Sequence, residues 1–570
     1  MTAEDIRKRI LDVTFANGGH LASSLGAVEI AMALNDVFDA KRDRIVWDVG
    51  HQAYAWKILT GRDAEFGTLR KMDGISGFPN PVESPSDAAV SGHAGVALSV
   101  AEGMAAARDL RGSDEHVVVV VGDAAIANGT SFEALNNCIG ACRKLIVVLN
   151  DNDMSISRPT GALARVFGRL VMGIGYNRVK AAAENAGHRL KLTFLRGVYH
   201  RLESRIKGLF VGSAFFEQFG LRYVGPVDGH DLDALRRAFT VAREDKRSIV
   251  VHVVTRKGKG YEPAERNPTA WHGISPHSSS GQAPAARSWS AAFGEALCCL
   301  AQADSRVVAL TAGMTDGTGL RGFSAAFPMR FFDVGIAEGH MVAFAAGMAA
   351  RGLRPVVAVY STFLQRAVDQ VMHDVCISSL PVVFCVDRAG AVGADGVTHQ
   401  GLYDVAMLRC LPNLTICQPK DEDDLKALLK EALNRNGPTV IRYPRGAVPS
   451  PEEVASWSAA SGRAGAKTAI WATGDQLSKA YAVARRVGAD VVHARYLKPF
   501  DDVLLARQRA EGKRIASIEN GAVIGGLGEA IGADFRFGWP DSFVPHGTVA
   551  ELERKFRFDV EFIAKSLEEG

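Results

Sequence analysis

At 570 residues, 47% of them apolar and 23% charged, the chain is long enough for three or four domains, each with its own core. A formal net charge of +3 with both signs interspersed gives no case for nucleic acid, which needs a clustered basic face. No apolar run approaches the ~20 residues of a membrane span, and eight scattered cysteines without a CxxC pair argue for reduced thiols in the cytoplasm and against a zinc or disulfide framework.

The first residues, MTAEDIRKRILDVTF, lack the apolar core and cleavage site of a signal peptide and read as an amphipathic helix. Strand-like runs follow: IVWDVG, VVVVVGD, LIVVLND and SIVVHVVT. Residues 116–157 are the most informative. Five valines end in Gly122-Asp123, and the later run LIVVL ends in Asn150-Asp151-Asn152. Continuous β-branched runs predict parallel strands buried on both faces, joined here by a crossover helix. Ligands of open α/β sheets sit beyond the carboxyl ends of the strands. Asp123 and Asn152 therefore fall at adjacent strand ends, as oxygen donors of the kind Mg²⁺ shares with substrate phosphates. A merely polar turn stays equally open from this pattern alone, because Asp and Asn suit turns. Segment 162–215 reads as helical and basic, and pattern gives it no role.

Residues 273–288 and 446–467 are rich in turn formers and read as linkers. They divide the chain into expected domains over 1–275, 288–446 and 466–570. The middle block shows VVALTAG, RFFDVG, PVVAVYS, LPVVFCVDRAG, TICQP and TVIRYP; the last shows TAIWATG, DVVHARY and RIASIENG. Alternating strand and helix signals predict an α/β protein of three doubly wound parallel-sheet domains.

Several long motifs resemble the 1-deoxy-D-xylulose-5-phosphate synthase family: GGHLASSLGAVEI (18–30), WDVGHQAYAWKILTGR (47–62), GDAAIANGTSFEALNN (122–137), LNDNDMSIS (149–157) and GPVDGHD (225–231). So do KGKGYEPAE (257–265), FFDVGIAEGH (331–340), YSTFLQRAVDQ (360–370), DRAGAVGADGVTHQG (387–401) and RYPRG (442–446). The resemblance runs along nearly the whole chain. It implies a transketolase-like, thiamine-diphosphate- and Mg²⁺-dependent homodimer without membrane or nucleic-acid partners. It also implies condensation of pyruvate with D-glyceraldehyde 3-phosphate, with loss of CO₂, as the first step of non-mevalonate isoprenoid synthesis. Two other readings stand beside it: a transketolase or acyloin-forming enzyme with another donor or acceptor, and a catalytically silent paralogue.

Residue by residue, the resemblance assigns Asp123, Asn152 and the Met154 carbonyl to the metal, and His51, His93, Ala124 and Lys257 to the cofactor's surroundings. Glu338 exchanges a proton with the aminopyrimidine ring, on which Phe363 stacks. That exchange needs a carboxylate in an apolar setting. His20 and His51 face the reacting centre, and His272, in AWHG, is a further catalytic candidate. Tyr360 and Arg366 line the cleft, Asp395 and His399 meet the acceptor aldehyde, and Arg388 and Arg445 take its phosphate as paired guanidiniums.

Four departures from the family pattern are chemically placed. Ala124 stands for a glycine; His93-Ala94-Gly95-Val96-Ala97 replaces a hydroxyl-rich stretch; Gly339 stands for a glutamine; and Asn80-Pro81-Val82 replaces a stretch with two cations. A glycine needing φ > 0 at 124 would make alanine costly.

Overall fold

The computed structural model describes residues 1–152, 211–276, 287–458 and 465–570. The expectations for Met154 and for nearly all of segment 162–215 lie outside the described residues; its end opens the helix Val211–Gln218. The chain forms two compact units, Met1–Arg70 with Gly74–His277, and Lys71–Asp73 with Ser278–Gly570.

In the first unit, five parallel strands lie in the order Arg44–Asp48, Val117–Gly122, Ile146–Asp151, Ile249–Val254, Arg222–Asp228. The valine run fills the middle: residues 117–121 are at most 1% exposed. Helices cover both faces, so each valine is sealed whichever way it points, contributing about 1.5–3 kcal/mol per side chain. The predicted crossover helix is Gly129–Ala141, opened by Asn128, whose side chain accepts the Thr130 amide. The N-terminal helix is Ala3–Asn17, with Thr2 and Asp5 forming a reciprocal capping box. The first predicted linker begins with structure: Gly273–Ile274 pairs antiparallel with Gly19–His20.

The second unit holds two sheets. One has the order Tyr496–Lys498, Thr415–Cys417, Thr439–Arg442, Val383–Asp387, Arg354–Tyr360, Val307–Thr311, Phe331–Asp333, parallel except at the first pair. The other runs Asp490–His493, Thr468–Ala472, Arg514–Ala522, Phe535–Trp539, all parallel. The fold is thus α/β with three predominantly parallel sheets. The second predicted linker contains the helix Pro451–Ser458, started by a proline at its first turn, where the missing N–H costs nothing. All eight cysteines carry free thiols. Among the described residues no helix is long and apolar enough to cross a membrane.

Candidate active site

The first unit places Asp123, Ala124, Asn152 and Lys257 just beyond the carboxyl ends of its central strands. Val117–Gly122 and Ile146–Asp151 are neighbours in register, so Asp123 and Asn152 leave the sheet side by side. Asp123 begins the helical turn Asp123–Ile126 and is buried. Burial pushes its carboxyl up to about 7, against the pull of the nearby Lys257 ammonium. The same burial brings Lys257 down to about 8, with Asp123 opposing it. The Asn152 Oδ1 is buried and accepts no hydrogen bond. A buried carboxylate beside a bare amide oxygen is a set of hard donors suited to a small divalent cation.

Three imidazoles form a second group. The His20, His51 and His272 rings lie 5.6, 5.6 and 5.1 Å apart, with Phe78 5.4 Å from His20. The two-residue ribbon explains the meeting: His20 is in register with Gly273, the residue after His272. His51 sits in the turn Gly50–Gln52, where its carbonyl accepts the Ser24 hydroxyl at 2.8 Å. His272 is held well below the usual imidazole range by burial, then by the neighbouring His20 and Lys257. It is therefore neutral at physiological pH. His93 lies in the loop that precedes the helix Ala97–Arg111.

In the second unit, Glu338 is the first residue of the helix Glu338–Ala350 and is 4% exposed. Burial raises its carboxyl; Arg366 opposes the shift, its Nε 3.4 Å from Oε2. That Oε2 accepts no hydrogen bond. Around Tyr360, at the end of its strand, the other residues converge. Phe363 stacks on Tyr360 at 5.8 Å and meets the His399 ring edge-on at 5.6 Å. The Arg388 guanidinium lies 3.8 Å above the Tyr360 ring. Arg388 and Arg445 leave the neighbouring strands Val383–Asp387 and Thr439–Arg442. Arg445 turns to Asp395 at 3.3 Å, an ion pair with one partner half exposed. Asp395 and His399 flank a single turn of 3₁₀-helix, Gly396–Thr398, inside the predicted loop.

The four departures have structural explanations of unequal weight. Ala124 lies in a helical turn, so alanine is unstrained there. Gly95 has φ +84°, and a Cβ on it would sit 2.5 Å from Asn128; its N–H goes to the Asp48 carboxylate at 2.8 Å. A Cβ on Gly339 would meet the end of Gln370 at 3.2 Å. In the loop at 77–83, Asn80 donates its backbone N–H to Asp87 at 2.8 Å, and Glu83 joins a buried charge cluster. Sequence reasoning passed over this cluster: Lys57 meets Glu83 at 2.5 Å, and Arg62 meets Asp87 at 2.6 and 2.9 Å. It also passed over a buried relay beside Asn152, in which the Tyr223 hydroxyl contacts His252 Nδ1 at 2.7 Å and His252 Nε2 contacts Asp151 at 3.0 Å.

Comparison with known proteins decides the family. Residues 1–255 match the family model described as 1-deoxy-D-xylulose-5-phosphate synthase, and residues 285–451 match the transketolase pyrimidine binding domain. The 1-deoxy-D-xylulose-5-phosphate synthase of Desulforudis audaxviator is 44% identical, over 99% of this chain and 94% of that protein. The chain belongs to the 1-deoxy-D-xylulose-5-phosphate synthase family. Members from Geobacter sulfurreducens (synthase 2) and Clostridium beijerinckii are likewise 44% identical, each over 99% of this chain and 95% of the relative. Membership of this family makes the chain a transketolase-type transferase.

Proposed function

We propose that this protein condenses pyruvate with D-glyceraldehyde 3-phosphate to give 1-deoxy-D-xylulose 5-phosphate and CO₂, with thiamine diphosphate and Mg²⁺, at the start of non-mevalonate isoprenoid synthesis. The observation that carries the reading is Glu338: a carboxylate at a helix start, buried, raised by that burial, with one oxygen left without a hydrogen bond. A proton-exchanging carboxylate for a cofactor ring needs that setting.

The donor set fits the cofactor pair. Asp123 and Asn152 offer protein oxygens too few for a magnesium ion by themselves, so the ion would be shared with the diphosphate and water. Met154 is proposed as the third protein ligand, through its carbonyl. Bound thiamine diphosphate supplies the electron sink for decarboxylation and carbon–carbon bond formation. The protein's residues do the rest. Lys257, His93 and Ala124 would border the diphosphate, and Phe363 would offer a ring face for stacking. Glu338 holds a proton at its unbonded oxygen. His20 or His51 accepts or returns protons at the reacting carbonyl, with neutral His272 beside them. Arg388 and Arg445 hold the acceptor phosphate, while Tyr360, Asp395 and His399 meet its aldehyde end. The domains over 1–275, 288–446 and 466–570, a homodimer and a cytoplasmic location belong to the same proposal.

The test is CO₂ release from carboxyl-labelled pyruvate, with thiamine diphosphate and Mg²⁺, with and without D-glyceraldehyde 3-phosphate. Release that depends on the aldehyde is expected. No release under either condition rejects pyruvate as donor and leaves a ketose-donor enzyme or a silent paralogue.

A further inference from the structure

Arg388 and Arg445 hang from loops that the C-terminal sheet holds. Arg388 takes φ +57°, a left-handed backbone that residues with a Cβ rarely adopt. Such a conformation persists only where its surroundings over-determine it. Two residues on, Gly390 exchanges backbone hydrogen bonds with Gly401 at 2.6 and 2.8 Å. Gly390 itself has φ +90°, and a Cβ there would lie 2.1 Å from the Asn520 Nδ2. Asn520, from the strand Arg514–Ala522, thus packs against the bare face of that glycine.

Every polar group on the Asn520 side chain is engaged. Its Oδ1 accepts the Ala391 N–H at 3.0 Å and the Trp539 indole N–H at 2.8 Å. Its Nδ2 donates to Asp475 at 2.7 Å. Its main-chain carbonyl accepts from Arg442 at 3.0 Å. The Arg442 guanidinium, 1% exposed, also donates to Asp404 at 2.9 and 3.2 Å and to Gln418 at 2.6 Å. Gln418 closes the circuit by donating to Asp475 at 2.6 Å. Arg442 ends the strand from which Arg445 departs. One asparagine is therefore tied to both arginine-bearing loops.

The topology makes this position telling. In chain order the strands of the C-terminal sheet lie second, first, third, fourth, so the order reverses between Thr468–Ala472 and Arg514–Ala522. Such a switch point, beyond the carboxyl ends of the strands, is where open α/β sheets take ligands. Asp475 and Asn520 stand there, and the Arg442 guanidinium reaches in.

We propose that Asn520 is a positioning residue: through Ala391 and Arg442 it sets the direction and spacing of Arg388 and Arg445 for the acceptor phosphate. The inference rests on the phosphate reading of those two arginines.

The experiment compares kcat/KM for D-glyceraldehyde 3-phosphate with that for unphosphorylated D-glyceraldehyde. Asn520→Asp keeps the acceptor for Ala391 but sets a second carboxylate against Asp475. The phosphorylated-to-unphosphorylated ratio is expected to fall about tenfold, through KM for the phosphorylated aldehyde, with kcat and pyruvate KM within about twofold. Asn520→Asp combined with Asp475→Asn restores a donor facing an acceptor, and the ratio returns to within about threefold of the parent. Arg445→Ala, run in parallel, lowers the ratio by itself. The clamp is overturned if Asn520→Asp lowers both acceptors equally, or leaves the ratio untouched while Arg445→Ala lowers it. A ratio unmoved by Arg445→Ala sinks the phosphate reading, and the clamp with it. Where Asn520→Asp yields no folded protein, Asp475→Ala is read in the same assay with the same outcomes.

Discussion

Two regions of the first unit bury charge, and they handle it differently. In the cluster of Lys57, Arg62, Glu83 and Asp87, two cations meet two carboxylates at hydrogen-bond distance. At the strand ends, Asp123 has the field of Lys257 and local backbone N–H groups against its desolvation but, among the described residues, no cation bonded to it, and its carboxyl still rises to about 7. Glu338, in the second unit, behaves as Asp123 does. A buried charge already compensated holds structure together. A buried charge left short of partners has a partner still to come, and perturbed carboxyls of that kind mark functional sites.

The largest expected effect tests the site side of the contrast. Glu338→Ala should cost turnover about 10²–10⁴-fold, the range for losing a positioned proton carrier. Its melting temperature should stay level or rise, because a strained carboxylate has gone. Near-full activity would remove Glu338 from the proton path. The scaffold side should behave inversely. Asp87→Ala leaves Arg62 and Lys57 buried with too little countercharge, which costs about 3–5 kcal/mol in denaturant unfolding. The folded fraction should keep its kcat; a fall in kcat with stability unchanged would move the cluster into the active machinery.

The smallest effect concerns pH. Burial lifts Asp387 to about 6, against Ser290 and Arg388. The folded chain then holds this proton more tightly than the unfolded chain, whose carboxyl titrates near the usual ~4. Stability from this group is complete at low pH and declines as pH climbs from about 4 to about 6. Asp387→Asn lacks the decline, so it should gain on the parent by ~2–3 kcal/mol between pH 4 and pH 7. A difference that stays constant across that range would contradict the assignment.

The sequence showed much of this because parallel strands are written as unbroken apolar runs, and the site residues follow such runs directly. Asp123, Asn152, Glu338 and Arg388 each stand at the end of a legible strand or the start of a helix. The strand Arg222–Asp228 was hidden by its own Gly225-Pro226 pair, which reads as a breaker and in the structure coincides with a register shift between Val224 and Val227. Phe535–Trp539 was hidden by alternation, and Tyr496–Lys498 by its length. The clamp on Asn520 and the relay through His252 were invisible for another reason. Their partners lie far away along the chain, Ala391 being 129 residues from Asn520 and His252 being 101 from Asp151. Local pattern carries no trace of such pairings. The loop around His399 was legible in kind; its single turn of 3₁₀-helix was not.

The ribbon of Gly19–His20 with Gly273–Ile274 has a consequence for synthesis. Ser23 and His272 touch at 3.5 Å across 249 residues of chain. At about 5–20 residues per second, the ribosome makes the amino-terminal strand roughly 10–50 s before its mate exists. His20 and His51 wait that long for their third imidazole. The nascent protein is therefore chemically incomplete until the first unit is nearly all made, and the imidazole group closes among its last steps.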